Sequence, residues 1–580
     1  MSFLRTRPAG PAPESADPGA RPPGHSAVGG LRIGDLIAVV ALIIEAGAVE
    51  FYLRQLLTRP FYYDEASRAY EIAQGGQFLS HLSTAAAPLA AGWVAIETVA
   101  RLVLGDTEAG LRAPMFLTLP LLAVATYVLA RRWLAVGVSF AVAALLLANL
   151  WIVNYGLQLK SYSYEALFAV ATLGLYLLMQ RSTWNRAQTL GLSAAMGLTC
   201  AFSLPNLFVV GPLLVLDLVR AFRQRARLRI CGGVLAGAIA LAHFVLFVRP
   251  QSRVASTGFF QDAYAPHSLG AFLRFVAAGF ESYFPSIITG VVGATNAPPS
   301  YHLPPVAHAF LAVALVILLA AGVAAAARDP AGRALIVAAG GPLLLELVGS
   351  VTRQWPFGLI RVNIFVVPLL YILAGMGAVW LARAVRGPRP ADGITPASVA
   401  WPRAAGIAVL AAALVAAGTA AGLATAKGFA ETSRLQAQPT MFGGVKAAVT
   451  AARAQAAPGD LVIIRSDRRP SLWYAAPWLY YMDMYQGDPA EVAGLPRIPA
   501  RNTTSVFRVT PAAVDRFVAA HPRSPAIFLL EFNFPGYRFP KWAHQQSLDT
   551  LRQLGYCPVS DVWYPVTGHL TVLNAGCSKS

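Results

Sequence analysis

From residue 33 to residue 424 the chain alternates long apolar runs with short breaks that carry arginine. Runs of membrane-crossing length fall at 33–53, 113–130, 137–154, 164–179, 190–203, 206–219, 231–248, 306–326, 334–350, 359–381 and 404–424. A helix needs about 20 apolar residues to cross a bilayer core, and backbone polar groups in hydrocarbon must be satisfied within the segment. The pattern therefore predicts an all-α polytopic membrane bundle of about eleven transmembrane helices. After residue 426 the pattern changes. Short strand-like runs at 461–464, 526–530 and 570–573, with a helical stretch near 542–554, predict a C-terminal α/β domain over 427–580.

Charge sets the sidedness. Short loops rich in Lys and Arg stay on the cytosolic side, and with the N-terminus inside every basic cluster falls there: Arg131 and Arg132; Arg181 and Arg186; Arg220, Arg223, Arg225, Arg227 and Arg229; Arg328 and Arg333; Arg383, Arg386 and Arg389. Fusing the runs on either side of Pro205 would put the five-arginine loop outside, so two separate spans are expected there. The same count makes residues 58–112 and 249–305 external loops and the C-terminal domain extracytoplasmic, in a protein of the plasma (inner) membrane. Residues 1–30, rich in Pro, Gly and Ser, read as a disordered cytosolic tail, and 31–426 as the transmembrane domain. The segment 86–104 is apolar but holds Glu97 and Arg101, which predicts a helix in the interface.

Composition agrees, with 56% hydrophobic and 13% charged residues over 580. The net charge of +18 comes from arginines between apolar runs, which argues for topology and against a nucleic-acid partner. Of four cysteines, Cys557 and Cys577 lie in the C-terminal domain, where an oxidising compartment would permit a disulfide; two free thiols are the alternative. Tyr480, Tyr481 and Tyr485, beside Trp473 and Trp478, suit either a domain core or the membrane interface.

Candidate chemistry sits in Phe61-Tyr62-Tyr63-Asp64-Glu65-Ala66, just outside the first span. A carboxylate among aromatic rings is partly desolvated, as a general base requires. The plainer role is an acid in the first turn or at the N-cap of a helix running through Tyr70, and on the two residues alone that role is the commoner one. His81, Asp262 and His267 lie on external loops without metal-ligand spacing. Glu45, in mid-span, lines a polar interior or bonds within the bundle.

Five stretches, in order, carry a resemblance. They are Asp64-Glu65-Ala66; Ala87-Pro88-Leu89; Leu104-Gly105-Asp106 with Glu108, leading to Leu111-Arg112-Ala113-Pro114; Leu157-Gln158-Leu159-Lys160-Ser161-Tyr162; and Gly358-Leu359-Ile360-Arg361, leading into Phe365 and Pro368. Together they resemble the polyprenyl-phosphate-sugar-dependent glycosyltransferases of the GT-C superfamily, the group that includes protein mannosyltransferases and the lipid A aminoarabinose and galacturonic acid transferases. The likeness covers residues 33 to about 382, short of the tail domain.

The resemblance implies a GT-C-like hexosyl- or pentosyltransferase working by inversion. Asp64 would be the catalytic carboxylate, with Glu65 supporting the site or a metal. Lys160 and Arg361, with Tyr162 and Arg353 beside them, would hold the donor phosphate, since cations stabilise the charge that grows on a departing phosphate. Snorkelling to the head groups is the alternative for these cations and for Arg68. The implied partners are a polyprenyl-phosphate sugar, an envelope acceptor (glycan, lipid or protein) and membrane lipids. Two departures stand out. Ala87 replaces the His or Lys before the proline, so the cofactor stays unknown, with a divalent metal ion as the candidate, and Val362 replaces the usual Tyr. Rival readings are a lipid-linked glycan transporter or flippase, which predicts charges deep in several helices and internal repeats, and a non-catalytic envelope assembly protein.

Overall fold

The computed structural model describes residues 32–61, 63–74, 89–180, 184–251, 264–289, 305–358, 360–386, 422, 426–430, 433, 444–457, 459–465, 478–484, 503–506, 516–517, 520, 524–532, 541–564 and 568–576. The first eleven helices are α1 (Ile33–Tyr52), α2 (Gln55–Thr58), α3 (Tyr63–Ala73), α4 (Ala91–Leu104), α5 (Glu108–Ala130), α6 (Val136–Leu147), α7 (Leu150–Gly156), α8 (Tyr162–Met179), α9 (Arg186–Phe202), α10 (Leu207–Arg223) and α11 (Arg227–His243). Helices Leu269–Thr289, Pro305–Ala326, Pro330–Val351, Ile360–Asn363 and Val367–Arg386 follow.

Six described helices are long and apolar enough to cross a membrane, or seven if one bent pair counts as a single span. Four of the expected spans are not among them: α1 is long enough but carries Asp35, Glu45 and Glu50; α9 has 17 residues; 306–326 counts only as the shorter apolar stretch Val313–Ala326; and 404–424, apart from residue 422, lies outside the described residues. The outward faces of these helices expose Leu36, Leu117, Val215, Leu241 and Leu344, as lipid-facing surfaces do.

Two breaks shape the bundle. The run expected at 137–154 is not one straight helix: α6 and α7 meet at a bend of 59°. Asn149 makes the break, because its side chain accepts hydrogen bonds from the N–H groups of Trp151 and Ile152 and so starts a new helix, while its amide donates to Tyr371 Oη at 3.3 Å. Around Pro205, α9 ends at Phe202 and α10 begins at Leu207, with a tight turn between. Two helices stand there, of which α10 is long and apolar enough, with the turn before it, to cross a membrane. Asn206 fastens the turn by donating to Thr172 Oγ1 at 2.8 Å and Thr199 Oγ1 at 2.6 Å.

Helices Pro305–Ala326 and Val367–Arg386 touch backbone to backbone. A Cβ on Gly322 would overlap the Leu373 carbonyl, and one on Gly377 the Leu318 carbonyl. Small residues permit that approach, which replaces the hydrophobic drive that a lipid solvent does not supply.

The tail domain is a five-stranded mixed sheet of β1 (Leu461–Arg465), β2 (Thr503–Val506), β3 (Ala526–Phe532), β4 (Tyr556–Tyr564) and β5 (Gly568–Ala575), in the order β2-β1-β3-β5-β4. β1 runs parallel to β2 and β3, while β5 runs antiparallel to β3 and β4. Alternate residues face opposite sides. Val462, Ile464, Phe528, Leu530, Leu570 and Val572 pack with helix Gly444–Gln455, whereas Leu461, Ile463, Ile527, Leu529 and Leu573 pack with Leu548 and Leu551 of helix Lys541–Gln553. Cys557 is disulfide-bonded, and Cys200 and Cys231 are free. Cys577, the expected partner of Cys557, lies outside the described residues.

The first of these tail cores continues into the membrane domain. Val445, Val449, Trp478, Tyr480 and Tyr481 share one apolar cluster with Phe61, Ala66, Tyr70, Trp93 and Leu111. Tyr480 and Tyr481 are therefore interdomain core residues; Trp473 and Tyr485 lie outside the described residues. Tyr481 Oη meets the Phe61 N–H at 2.8 Å and donates to Glu108 Oε1 at 3.3 Å, and Lys446 Nζ pairs with the same Glu108 oxygen at 3.0 Å. The tail domain thus rests on the segment that carries Asp64.

Candidate active site

The site is built around the first turn of α3. Asp64 and Glu65 are adjacent in sequence, and on a helix neighbouring side chains diverge by about 100°. That divergence separates their roles. Asp64 is partly open, its side chain 28% exposed, and its Oδ2 lies 3.3 Å from Lys160 Nζ. Glu65 turns inward and is fully buried.

Glu65 is held on all sides. Arg112 grips it with two bonds, Nε to Oε1 at 2.9 Å and Nη2 to Oε2 at 3.0 Å, and Arg59 Nη2 reaches Oε2 at 3.1 Å. The Leu159 N–H donates to Oε1 at 2.9 Å. Burial pushes the Glu65 carboxyl up, but the Arg112 and Arg59 charges and the hydrogen bonds from Arg112 and Leu159 outweigh it and hold the group at about 2. Arg112 also donates to the carbonyls of Leu56 and Arg59, at 2.7 and 2.6 Å, and its guanidinium lies 4.6 Å from the centre of the Phe61 ring. One buried carboxylate therefore ties together the end of α2, the start of α3, α5 and the loop before α8. It braces the site and leaves the neighbouring Asp64 carboxylate partly exposed.

That loop is short for its task. α7 ends at Gly156 and α8 begins at Tyr162, so the Leu159 bond to Glu65 fixes the residue before Lys160. Lys160 then points at Asp64, its Nζ 5.6 Å from the Tyr155 ring centre and 5.9 Å from that of Tyr162. Aromatic faces stabilise a cation held away from water. Glu165, in the first turn of α8, accepts from Ser161 Oγ at 2.7 Å, and Arg68, one turn after Asp64, acts on Glu165 electrostatically and pairs with Glu71 at 3.5 Å. Asp64, Arg68, Lys160, Glu165 and two tyrosines thus come from segments about ninety residues apart.

Not every expected residue joins them. Arg353 is exposed at the end of helix Pro330–Val351 with a positive φ of 57°, and its Nη2 lies 3.1 Å from His267 Nε2. Arg361 lies on the short helix Ile360–Asn363, with its side chain outside the described residues. His81, Ala87, Pro88 and Asp262 are also outside them, but the loop beyond Pro88 is pinned where Leu89 N–H donates to Gln251 Oε1 at 2.6 Å and Gln251 Nε2 donates back to the Leu89 carbonyl at 3.0 Å. Glu45 is half-buried in α1. In the remaining motif Arg101 joins Asp106 Oδ2 at 2.8 Å and the Ala73 carbonyl at 2.8 Å, closing α4 against α3. α4 buries Trp93 and Glu97 and exposes Val99, Leu102, Val103 and Leu104, an amphipathic split. Among the described residues, Glu531, His544 and His569 in the tail domain bring three metal-ligating side chains within reach of one another.

Sequence reasoning gave no role to Arg59, Arg112, Tyr155 or Glu165. Arg112 stood inside a quoted motif, and Glu165 follows Lys160 by little more than one turn; neither position announces its partner.

No protein-family model matches the chain, and no curated protein does. Solved structures do, and the class they define is that of the GT-C fold, as the sequence motifs imply. The particular likeness is to ArnT from Cupriavidus metallidurans, known in the apo state and bound to undecaprenyl phosphate. Each of those structures matches with a TM-score of 0.52 at 15% identity, over 93% of this chain and 99% of the other. An oligosaccharyltransferase from Archaeoglobus fulgidus matches at 13% identity with a TM-score of 0.46, over 85% of this chain and 69% of its own. At such identity the likeness is one of fold.

Proposed function

We propose that this integral membrane protein is a glycosyltransferase that moves a sugar from a polyprenyl-phosphate donor to an envelope acceptor (lipid, polysaccharide or protein) with inversion, at the outer face of the inner membrane. The observation that carries this reading is the open Asp64 carboxylate paired with Lys160 beside a fully neutralised Glu65. Asp64 takes the proton of an acceptor hydroxyl as its oxygen attacks the anomeric carbon. The glycosidic C–O bond breaks, and its electron pair leaves with the polyprenyl phosphate. Lys160, released from Asp64 as that group is protonated, turns its charge to the departing phosphate, and Arg361 is assigned to the same anion. Binding of undecaprenyl phosphate by ArnT, which has this fold, supports a lipid phosphate as the carrier.

Sidedness follows from the arginine clusters, with the N-terminus cytoplasmic and the tail domain outside. The stretch Leu269–Phe280, apolar on one face, is assigned as a lid in the interface. The test is a transfer assay on purified protein with a polyprenyl-phosphate sugar. Asp64→Asn should lower turnover by about a hundredfold or more. Wild-type turnover in that variant would remove the proposed base.

A further inference from the structure

One face of the tail sheet ends in a polar cluster that the transfer site does not use. Register sets Glu531 opposite His569 and His569 opposite Trp563, forming a row across β3, β5 and β4. Asp561 stands two residues before Trp563 and so on the same face. Helix Lys541–Gln553 covers that face and adds His544 and Ser547.

The two imidazoles are held in the same way. His544 Nδ1 lies 2.5 Å, and His569 Nδ1 3.2 Å, from the single oxygen Glu531 Oε2. A carboxylate only accepts, so both Nδ1 atoms carry the hydrogen and both Nε2 atoms turn away from Glu531. There they converge on one oxygen: Asp561 Oδ1 is 2.7 Å from His569 Nε2 and 3.6 Å from His544 Nε2. His544 Nε2 is buried and has no hydrogen-bond partner among the described residues. The Trp563 ring stacks on His569 at 3.7 Å between centroids and walls off one side, while the Asp561 side chain is 44% exposed on the other.

We infer that this cluster binds a divalent transition-metal ion of the zinc class, with His544 Nε2, His569 Nε2 and Asp561 Oδ1 as ligands and Glu531 as the carboxylate that orients both rings. Ligand bonds of about 2.0–2.1 Å at tetrahedral angles separate ligand atoms by roughly 3.3 Å, a value that the two observed separations bracket. The opposite, Nδ1 end of the cluster is unsuitable. Arg465 Nη1 lies 3.2 Å from Glu531 Oε1, and its positive charge opposes a second cation there. A carboxylate behind metal-bound histidines fixes tautomer and ring orientation, as Glu531 does here. Two imidazoles and one carboxylate favour zinc-like ions over magnesium or calcium. On binding, the ion replaces the direct contact between His569 Nε2 and Asp561 Oδ1, and the exposed side of the cluster leaves the fourth position to water. The ion joins helix Lys541–Gln553 to β4 and β5, so it stiffens the tail domain and takes no part in sugar transfer.

The test uses the full chain in detergent, stripped with a chelator and dialysed against zinc, with bound metal read by mass spectrometry. Wild type and Asp64→Asn should each retain about one zinc per chain, and the thermal midpoint should rise with zinc. Asp561→Asn and His544→Gln should weaken binding by about tenfold or more and abolish that rise. Asp561 is half-open, so its variant remains informative if His544→Gln fails to fold. Failure of wild type to bind zinc, unchanged binding in Asp561→Asn, loss of zinc in Asp64→Asn, or preference for magnesium over zinc would each overturn the assignment.

Discussion

At the scale of the residue, one helical turn divides two adjacent carboxylates between support and exposure. Glu65→Gln keeps the shape but leaves Arg59 and Arg112 buried beside a neutral amide, and breaking such a pair from one side costs about 3–5 kcal/mol. The expected result is a lower thermal midpoint and poor recovery of folded protein, read by size-exclusion chromatography after heating. Acid should act on the same group. The Glu65 carboxyl lies at about 2 in the fold against an ordinary 4.5, so its contribution is complete above the ordinary value and declines as pH falls from there towards 2. Thermal midpoints should therefore fall between those limits in wild type, and less steeply in Glu65→Gln. The pair Asp64-Glu65 was legible in the sequence as an acidic signature. The division of labour was not, because it depends on Arg112, 47 residues away, and on a backbone N–H at Leu159.

At the scale of the element, the apolar pattern located six of the described helices as candidate spans, or seven with the bent pair, because lipid leaves no other way to satisfy their backbones. It did not show the break at Asn149, where one side-chain oxygen competes with the helix for two N–H groups. Nor did it show the contact between Gly322 and Gly377, which belongs to the pair of helices and to neither sequence alone. Gly377→Leu should push those helices apart, and the expected readout is aggregation or a clearly lowered midpoint in detergent; a midpoint equal to wild type would show that the helices can separate freely. In the tail, the buried strands β1, β3 and β5 stood out as apolar runs. β2 and β4 did not, since β2 is a four-residue edge and β4 an edge bearing Pro558 at an irregular register. The His544, His569 and Asp561 arrangement was invisible for the same reason: its members come from a helix and two strands, and no local spacing links them.

At the scale of the whole molecule, the tail domain and the membrane domain share a core, and Tyr481 reaches from one to the segment of the other that leads into α3, whose first turn holds Asp64, the proposed catalytic carboxylate. Tyr481→Phe removes the bonds to Phe61 N–H and Glu108. The loss should be about 1 kcal/mol of stability and several-fold in kcat, with donor affinity preserved; unchanged kcat would mean that the tail domain does not position α3. The claim on which the functional account rests is that Asp64 performs chemistry while Lys160 receives the phosphate. Measuring binding of polyprenyl phosphate alongside sugar transfer separates the two. Asp64→Asn should bind the lipid phosphate within about twofold of wild type yet transfer a hundredfold less sugar, and Lys160→Ala should lose about tenfold or more in lipid-phosphate affinity. An Asp64→Asn protein that turns over like wild type, or a Lys160→Ala protein that binds the lipid phosphate unchanged, would contradict it.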